Sequence, residues 1–335
     1  MTLHDEIAAA PSAAQDTMRA VVLDHFGDAG ALHLAEVPRP VPVVGELLIR
    51  VVAAGLNPID VKTRAGSGEA AGVARFPAVL GHDFSGVVVS APYEAFRLQP
   101  GDEVYGISAA PRTTGSFAEY LAVPAQQVAP KPAVLSHAEA AGVPLAALAA
   151  WGAVVEIAKA HEGQRILIHA AAGGVGHLAV QFAAHFGAHV IATASGRNTA
   201  WLRELGASET VDHCETRFED VVAPVDVVID LVGDQQDHTG PRSLAVLRPG
   251  GLLVNVPSGT WPTLMADAAA AGVRATTYRM VPDAATLAVI GRLITSGDVR
   301  VSVQEVFPLD RIADAQRLVE AGHVRGKVVV QVSDY

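Results

Sequence analysis

At 335 residues the chain is too long for one ordinary core, and half of its residues are hydrophobic, so two domains of a soluble α/β protein are expected. Its 24 Lys and Arg against 35 Asp and Glu give a net charge of −11, which leaves no basic surface for nucleic acid or an anionic membrane. A single cysteine, Cys214, excludes an internal disulfide and every multi-cysteine zinc site and fits a reducing cytoplasm; no run reaches the ~18 apolar residues of a membrane span.

Residues 1–17 carry two early acids and no basic stretch, so they read as a flexible, Ala-rich leader rather than a signal peptide. A first strand is expected over Met18–Asp24, then short strands at LLIRVVAAG, FSGVVVS, GDEVYGI and AEYLAVP, separated by Gly and Pro. Such short runs with little helical period predict a β-rich domain from about residue 18 to 135. At SHAEAAGVPLAALAAW the spacing turns helical, with Ser136 placed to cap the helix and Glu139 three residues on. Strands and helices then alternate: a strand at 165–169, a helix from Gly174, a strand at 189–193, a helix at NTAWLRELGA and a short strand at Thr210–Asp212. Strands at VDVVIDLV and GLLVNV follow, with a helix near PRSLAVL between them and an extended RATTYRM after them. Only a crossover helix returns the chain to start a parallel strand, so this half predicts a doubly wound parallel sheet. The tail reads helix (283–297), strand (304–309), helix (310–322), strand (327–332), and has no core of its own, so it should pack back on the first domain.

The stretch 165–197 has the length of a dinucleotide-binding βαβ unit around the turn AAAGGVG. Gly173 would let the backbone approach a pyrophosphate, and Gly176 would let the helix start pack tightly while its N–H groups face the phosphates. Ala171 stands where the pattern has its first glycine, so a turn that merely needs small residues is the competing reading. NAD sites place Asp or Glu about twenty residues after the glycines. Here the stretch is TASGRN, in which Ser195 offers a hydroxyl and Arg197 a guanidinium, groups suited to the 2′-phosphate of NADP. A solvated arginine in a polar loop is the alternative.

Taken in order, GLNPIDVKTRAG (55–66), GHDFSGVV (81–88), LQPGDEVYG (98–106), AAAGGVG (170–176), DVVIDLVG (226–233), NVPSG (255–259) and GHVRGKVVV (322–330) resemble the medium-chain dehydrogenase/reductase superfamily, in its zinc-independent NADPH:quinone oxidoreductase branch. The resemblance implies a GroES-like, β-rich catalytic domain over 18–136 and 281–335 and a Rossmann NADP-binding domain over 137–280. Zinc relatives place a cysteine near Asn57, a histidine near His82 and a further cysteine or acid. Asn57 is a poor zinc ligand, His82 with Asp83 cannot complete a three-ligand site, and no metal is expected. Without a Lewis acid the implied reaction is hydride transfer from NADPH to a quinone or an α,β-unsaturated carbonyl.

By the same resemblance the catalytic residues are Asn57, Asp60 and His82. Asn57 would donate to the acceptor oxygen or the nicotinamide ribose, or close an Asx turn before Pro58. Lys62 is expected to pair with Asp60, the alternative being that Lys62 and Arg64 are both simply solvated. His82 is the one nearby donor with an ordinary pKa suited to neutral pH, although a structural histidine is the commoner outcome. Many relatives carry a tyrosine in the stretch that here reads SGEAAGVARFP and a threonine or serine at Ala149; both are missing, so no side-chain proton donor is identifiable. Cofactor contacts are expected from Ala172, Gly173, Gly174, Val175 and Gly176, from Ser195 and Arg197, and from His213 beside the adenine. Leu231 and Val232, and Val256, Pro257 and Ser258, stand at strand ends, where open α/β sheets bind ligands, and Arg325 and Lys327 are expected to approach the phosphates. A homodimer through RATTYRM is implied, with a small-molecule quinone or enone as substrate. A dedicated enoyl or enone reductase of a biosynthetic pathway and a non-catalytic NADPH-binding redox sensor remain the alternatives.

Overall fold

The computed structural model describes residues 16–108, 115–234, 237–257 and 259–334. Of the expected leader, residues 1–15 lie outside the described residues, and Thr17 already opens the first strand. The N-terminal part runs β1 (Thr17–Leu23), β2 (Leu32–Pro38), β3 (Glu46–Gly55), α1 (Pro58–Arg64), β4 (Asp83–Ser90), β5 (Glu103–Ile107), β6 (Tyr120–Pro124) and β7 (Val128–Pro130). Two short helices follow, α2 (His137–Ala141) and α3 (Pro144–Trp151), the second continuing as a π-helical turn over Gly152–Ile157. Ser136 caps α2 as its sequence predicts: its Oγ accepts from the Glu139 N–H, and Glu139 Oε2 accepts from the Ser136 N–H in return.

The alternating half contains β8 (Arg165–Ile168), α4 (Gly176–His185), β9 (His189–Ala194), α5 (Thr199–Glu204), β10 (Glu209–Asp212), α6 (Phe218–Val221), β11 (Val225–Asp230), α7 (Thr239–Ala245), β12 (Leu247–Asn255), α8 (Leu264–Ala270) and β13 (Arg274–Thr277). Its strands form a six-stranded parallel sheet in the order β10-β9-β8-β11-β12-β13. The order reverses between β8 and β11, the topological switch point at which open α/β sheets bind ligands. The tail supplies α9 (Ala284–Ser296), β14 (Val303–Pro308), α10 (Ile312–Glu320) and β15 (Lys327–Gln331).

Both β14 and β15 return to the N-terminal part, giving a seven-stranded sheet ordered β14-β15-β3-β4-β5-β7, with β6 also pairing β3. β3 is buried along nearly its whole length because it has partners on both edges and packing on both faces, which is why its sequence is continuously apolar rather than alternating. Two large cores result. One lies inside the β-rich part around Phe84, Phe117 and Leu121; the other lies between the parallel sheet and its helices around Ile166, Val180 and Phe182, and takes in Leu287 and Ile290 of α9. No helix among the described residues is long and apolar enough to cross a membrane.

Candidate active site

After β8 the chain turns sharply through residues 169–175 before α4 begins at Gly176, two residues later than the sequence pattern predicts. Ala170 takes a left-handed φ of 47°, and its carbonyl accepts from the Gly173 N–H at 3.0 Å. Gly176 has the packing role expected of it, since a Cβ there would lie 2.7 Å from the Ala171 Cα. At Gly173 a Cβ would meet only the Ala170 carbonyl, at 3.3 Å, so this backbone is open to a ligand. Val175 directly precedes α4, and the Ala172 carbonyl accepts from Gly326 N–H at 2.8 Å, which ties the turn to the segment entering β15.

Ser195 and Arg197 follow β9 directly. Ser195 Oγ accepts from Asn198 Nδ2 at 3.2 Å, and the Arg197 guanidinium donates to the His323 carbonyl at 3.0 Å. His213 stands in an exposed turn after β10, its N–H bonded to the Ala194 carbonyl. Arg325 is exposed, with its guanidinium carbon 4.1 Å from the Trp201 ring centroid, while Trp201 stacks on His177. Arg197, His213 and Arg325 thus border one corner of the parallel sheet. Asp212 also lies there, unanticipated: a Cβ on Gly196 would run into its carboxylate.

At the carboxyl ends of β11 and β12 the N–H groups of Val232 and Gly233 both donate to Asp230 Oδ1 at 2.9 Å, and Val256 N–H donates to the Asp230 carbonyl. The Val232 and Val256 N–H groups are therefore occupied, and Pro257 has none. Ser258 lies outside the described residues. Two buried acceptors in this region, Asp230 Oδ2 and Asn255 Oδ1, have no donor among the described residues, and burial pushes the Asp230 carboxyl up. The open turn, the guanidinium corner and these orphaned acceptors line the same end of the parallel sheet and fit a nicotinamide dinucleotide.

Asn57, Asp60 and His82 come together where α1 meets β4. The Asn57 N–H donates to Asp60 Oδ2 at 2.8 Å. Asp60 Oδ1 lies 2.6 Å from His82 Nδ1, and His82 Nε2 lies 3.0 Å from Glu69 Oε2. The expected Asp60–Lys62 pair is not formed: residues i and i+2 of a helix do not share a face, and Asp60 turns to His82 instead. Arg64 is not solvated but 1% exposed, bonded to the Gly27 carbonyl and to Gln316 and Glu320 of α10. His82 is also not a neutral-pH titrator. Burial alone would lower its pKa, but the two carboxylates outweigh it and push it up to about 10.

Lys327 departs most from expectation. Its stem passes the glycine turn, 3.0 Å from where a Gly174 Cβ would sit, but its ammonium is not presented to phosphates. It donates to Asn57 Oδ1 at 2.5 Å and to Asp83 Oδ2 at 3.3 Å, deep in the interior. Asp83, fully buried, also accepts from Asn57 Nδ2 at 2.9 Å and from the Leu145 N–H at 2.8 Å. Sequence reasoning passed over Asp83 as a failed metal ligand and did not consider Glu69. A buried lysine entering a strand must have an anion, and that requirement was the available signal for Asp83. Among the described residues no group of three or more His, Cys, Asp or Glu is arranged to hold a metal ion.

Residues 44–133 match the family described as alcohol dehydrogenase GroES-like domain, and residues 205–330 the family described as zinc-binding dehydrogenase. The chloroplastic NADPH-dependent alkenal/one oxidoreductase of Arabidopsis thaliana is 36% identical over 324 residues, 93% of this chain and 79% of that protein. The 2-methylene-furan-3-one reductase of Solanum lycopersicum is also 36% identical, over 85% of this chain and 71% of that one. A solved structure of the quinone oxidoreductase from Coxiella burnetii superposes with a TM-score of 0.89 at 38% identity, covering 95% of this chain and 100% of that one. This chain is therefore an oxidoreductase enzyme built for a nicotinamide cofactor, and it belongs to the medium-chain dehydrogenase/reductase superfamily, in its quinone oxidoreductase-like branch.

Proposed function

We propose that the protein is an NADPH-dependent reductase that passes hydride to a quinone or to the β-carbon of an α,β-unsaturated carbonyl without a metal. The observation that carries this reading is the state of the two residues standing where zinc relatives keep ligands. Asn57 Oδ1 accepts from the Lys327 ammonium, whose charge opposes a second cation there, and both His82 nitrogens face carboxylates and carry protons, so the imidazole offers no lone pair to a metal. The bound nicotinamide supplies the hydride. The residues do the rest. The open Gly173 backbone and the start of α4 bind phosphate, and Arg197 with Ser195 selects the 2′-phosphate. Asn57 turns an amide N–H toward the acceptor oxygen on which negative charge develops.

The alkenal/one and furanone reductases among the relatives support an activated alkene or quinone as acceptor. β13, at the edge of the parallel sheet, is the strand through which a second copy would pair to make a homodimer. The reading is tested by following oxidation of NADPH and NADH against a panel of quinones and acyclic enones. Faster turnover with NADPH on members of that panel is the expected result. Tight NADPH binding with no turnover on any of them would make it a binding protein.

A further inference from the structure

We infer that Lys327 is a positioning residue for Asn57: lodged between the glycine-rich turn and the Asn57 carboxamide, its ammonium fixes which edge of that amide is offered to the acceptor. The inference rests on the reading that Asn57 faces the acceptor. Lys327, Asn57 and Asp83 form a closed ring in which the ammonium donates to Asn57 Oδ1 and to Asp83 Oδ2, and Asn57 Nδ2 donates to Asp83 Oδ2. Rotating the amide by half a turn would set its NH2 against the ammonium and its oxygen against the carboxylate. Both ends oppose that flip, so the orientation is fixed by charge and not by packing alone. One Nδ2 hydrogen is left without a partner among the described residues, and it is the donor available to a substrate oxygen.

The same lysine is fastened to the cofactor side. Its N–H donates to the Ser302 carbonyl at 2.9 Å, the preceding Gly326 N–H donates to the Ala172 carbonyl at 2.8 Å, and its Cδ packs at Gly174. One side chain thus sets the distance between the phosphate-binding turn and the amide. Such registry is what hydride transfer demands, because a misplacement of about 1 Å in a reacting geometry costs roughly 10²-fold in rate.

The charges around Asp83 make the idea testable apart from activity. Facing it are Lys327 from β15 and Asp60 from α1, with His82 behind Asp60 and His177 of α4 near Lys327. Burial pushes the Asp83 carboxyl up, and Lys327 is the foremost group holding it down. In Lys327→Met, Asp83 should take up a proton at a pH where the wild type keeps it ionised. A protonated Asp83 can donate to either end of the amide, so the orientation is lost as pH falls. In Lys327→Met combined with Asp83→Asn, the new proton site is gone, and the carboxamide that replaces the Asp83 carboxylate can still accept from Asn57 Nδ2.

The experiment compares wild type, K327M and K327M/D83N for kcat against pH, NADPH dissociation constant by fluorescence, and melting temperature against pH. K327M should lose roughly 10- to 100-fold in kcat, more at lower pH, while NADPH binding moves by less than about threefold. Its melting temperature, relative to the double variant, should fall as pH rises from about 4, since a raised carboxyl pKa stabilises the folded state below the unfolded value and loses that contribution through the folded one. Should K327M not fold, the double variant carries the test: kcat lowered with NADPH binding within about threefold of wild type supports the inference, and wild-type kcat overturns it, because the amide would then be held without the ammonium. NADPH binding weakened more than about tenfold with kcat retained would make Lys327 a phosphate ligand and overturn it. A K327M enzyme indistinguishable from wild type in kcat and pH profile would also overturn it. If the wild type itself reduces no acceptor, the reductase reading fails, and the melting curves alone decide: no pH-dependent difference between K327M and the double variant sinks the ring.

Discussion

His82 Nδ1 lies 2.6 Å from Asp60 Oδ1 in a site from which water is all but excluded, and Glu69 closes on the other ring nitrogen at 3.0 Å. A carboxylate–imidazolium–carboxylate chain of this kind holds the histidine charged well above neutrality. Because the folded pKa, about 10, is above the unfolded value, its stabilisation is complete below about pH 6.5 and is lost progressively as pH rises to 10. Urea midpoints measured from pH 6 to 10 should therefore decline across that window. In His82→Ala that decline should be absent, and about 3 kcal/mol should be missing at pH 7, the cost of leaving Asp60 buried and unpaired. A wild-type stability that is flat across this window contradicts the arrangement.

Glu69 also bonds to Arg279, which is 80% exposed. Arg279→Ala should change stability by less than about 1 kcal/mol, as exposed ion pairs do. Glu69→Gln should instead pull the upper end of the pH window downward, because it removes one of the two charges that raise His82. Chemical denaturation of both variants at pH 7 and pH 9 separates the two effects.

The glycines of the turn should divide by what a methyl group meets. Gly176→Ala pushes a Cβ into Ala171 and should destabilise the fold by about 1–3 kcal/mol. Gly173→Ala meets nothing closer than 3.3 Å and should melt within a few degrees of wild type, yet weaken NADPH binding. Equal stability losses in the two variants would count against a ligand above Gly173.

Arg197→Ala should weaken NADPH by about tenfold or more while NADH changes by less than about twofold, since only NADPH carries the 2′-phosphate. The nearby Asp212 carboxylate opposes that phosphate, so Asp212→Asn should tighten NADPH. Dissociation constants for both cofactors, from fluorescence titration, test the pair of variants. Equal losses for NADPH and NADH in Arg197→Ala would remove the basis for the cofactor preference.

The parallel half of the fold was legible because its signals are local. Each strand is a run of four to nine residues followed by a helix, and β8, β9 and β11 fall within a residue or two of where periodicity puts them. The glycine turn and the Ser195–Arg197 corner are likewise contained in one βαβ unit. The polar cluster was legible only in part, because its bonds join residues far apart in sequence: Lys327 to Asn57, Arg64 to Gln316, His82 to Glu69. Asp60 and Lys62 made a plausible pair on paper, but helix α1 puts them on different faces. That helix itself was missed, since a seven-residue segment opened by Pro58 carries too little period to declare it.

Metal-free reduction by NADPH is tested by NADPH-dependent turnover of the best enone or quinone before and after exhaustive chelation, with metal content determined on the same sample. The rate should be unchanged in protein holding less than about one metal per ten chains. A rate that collapses on chelation and returns with added zinc would contradict it.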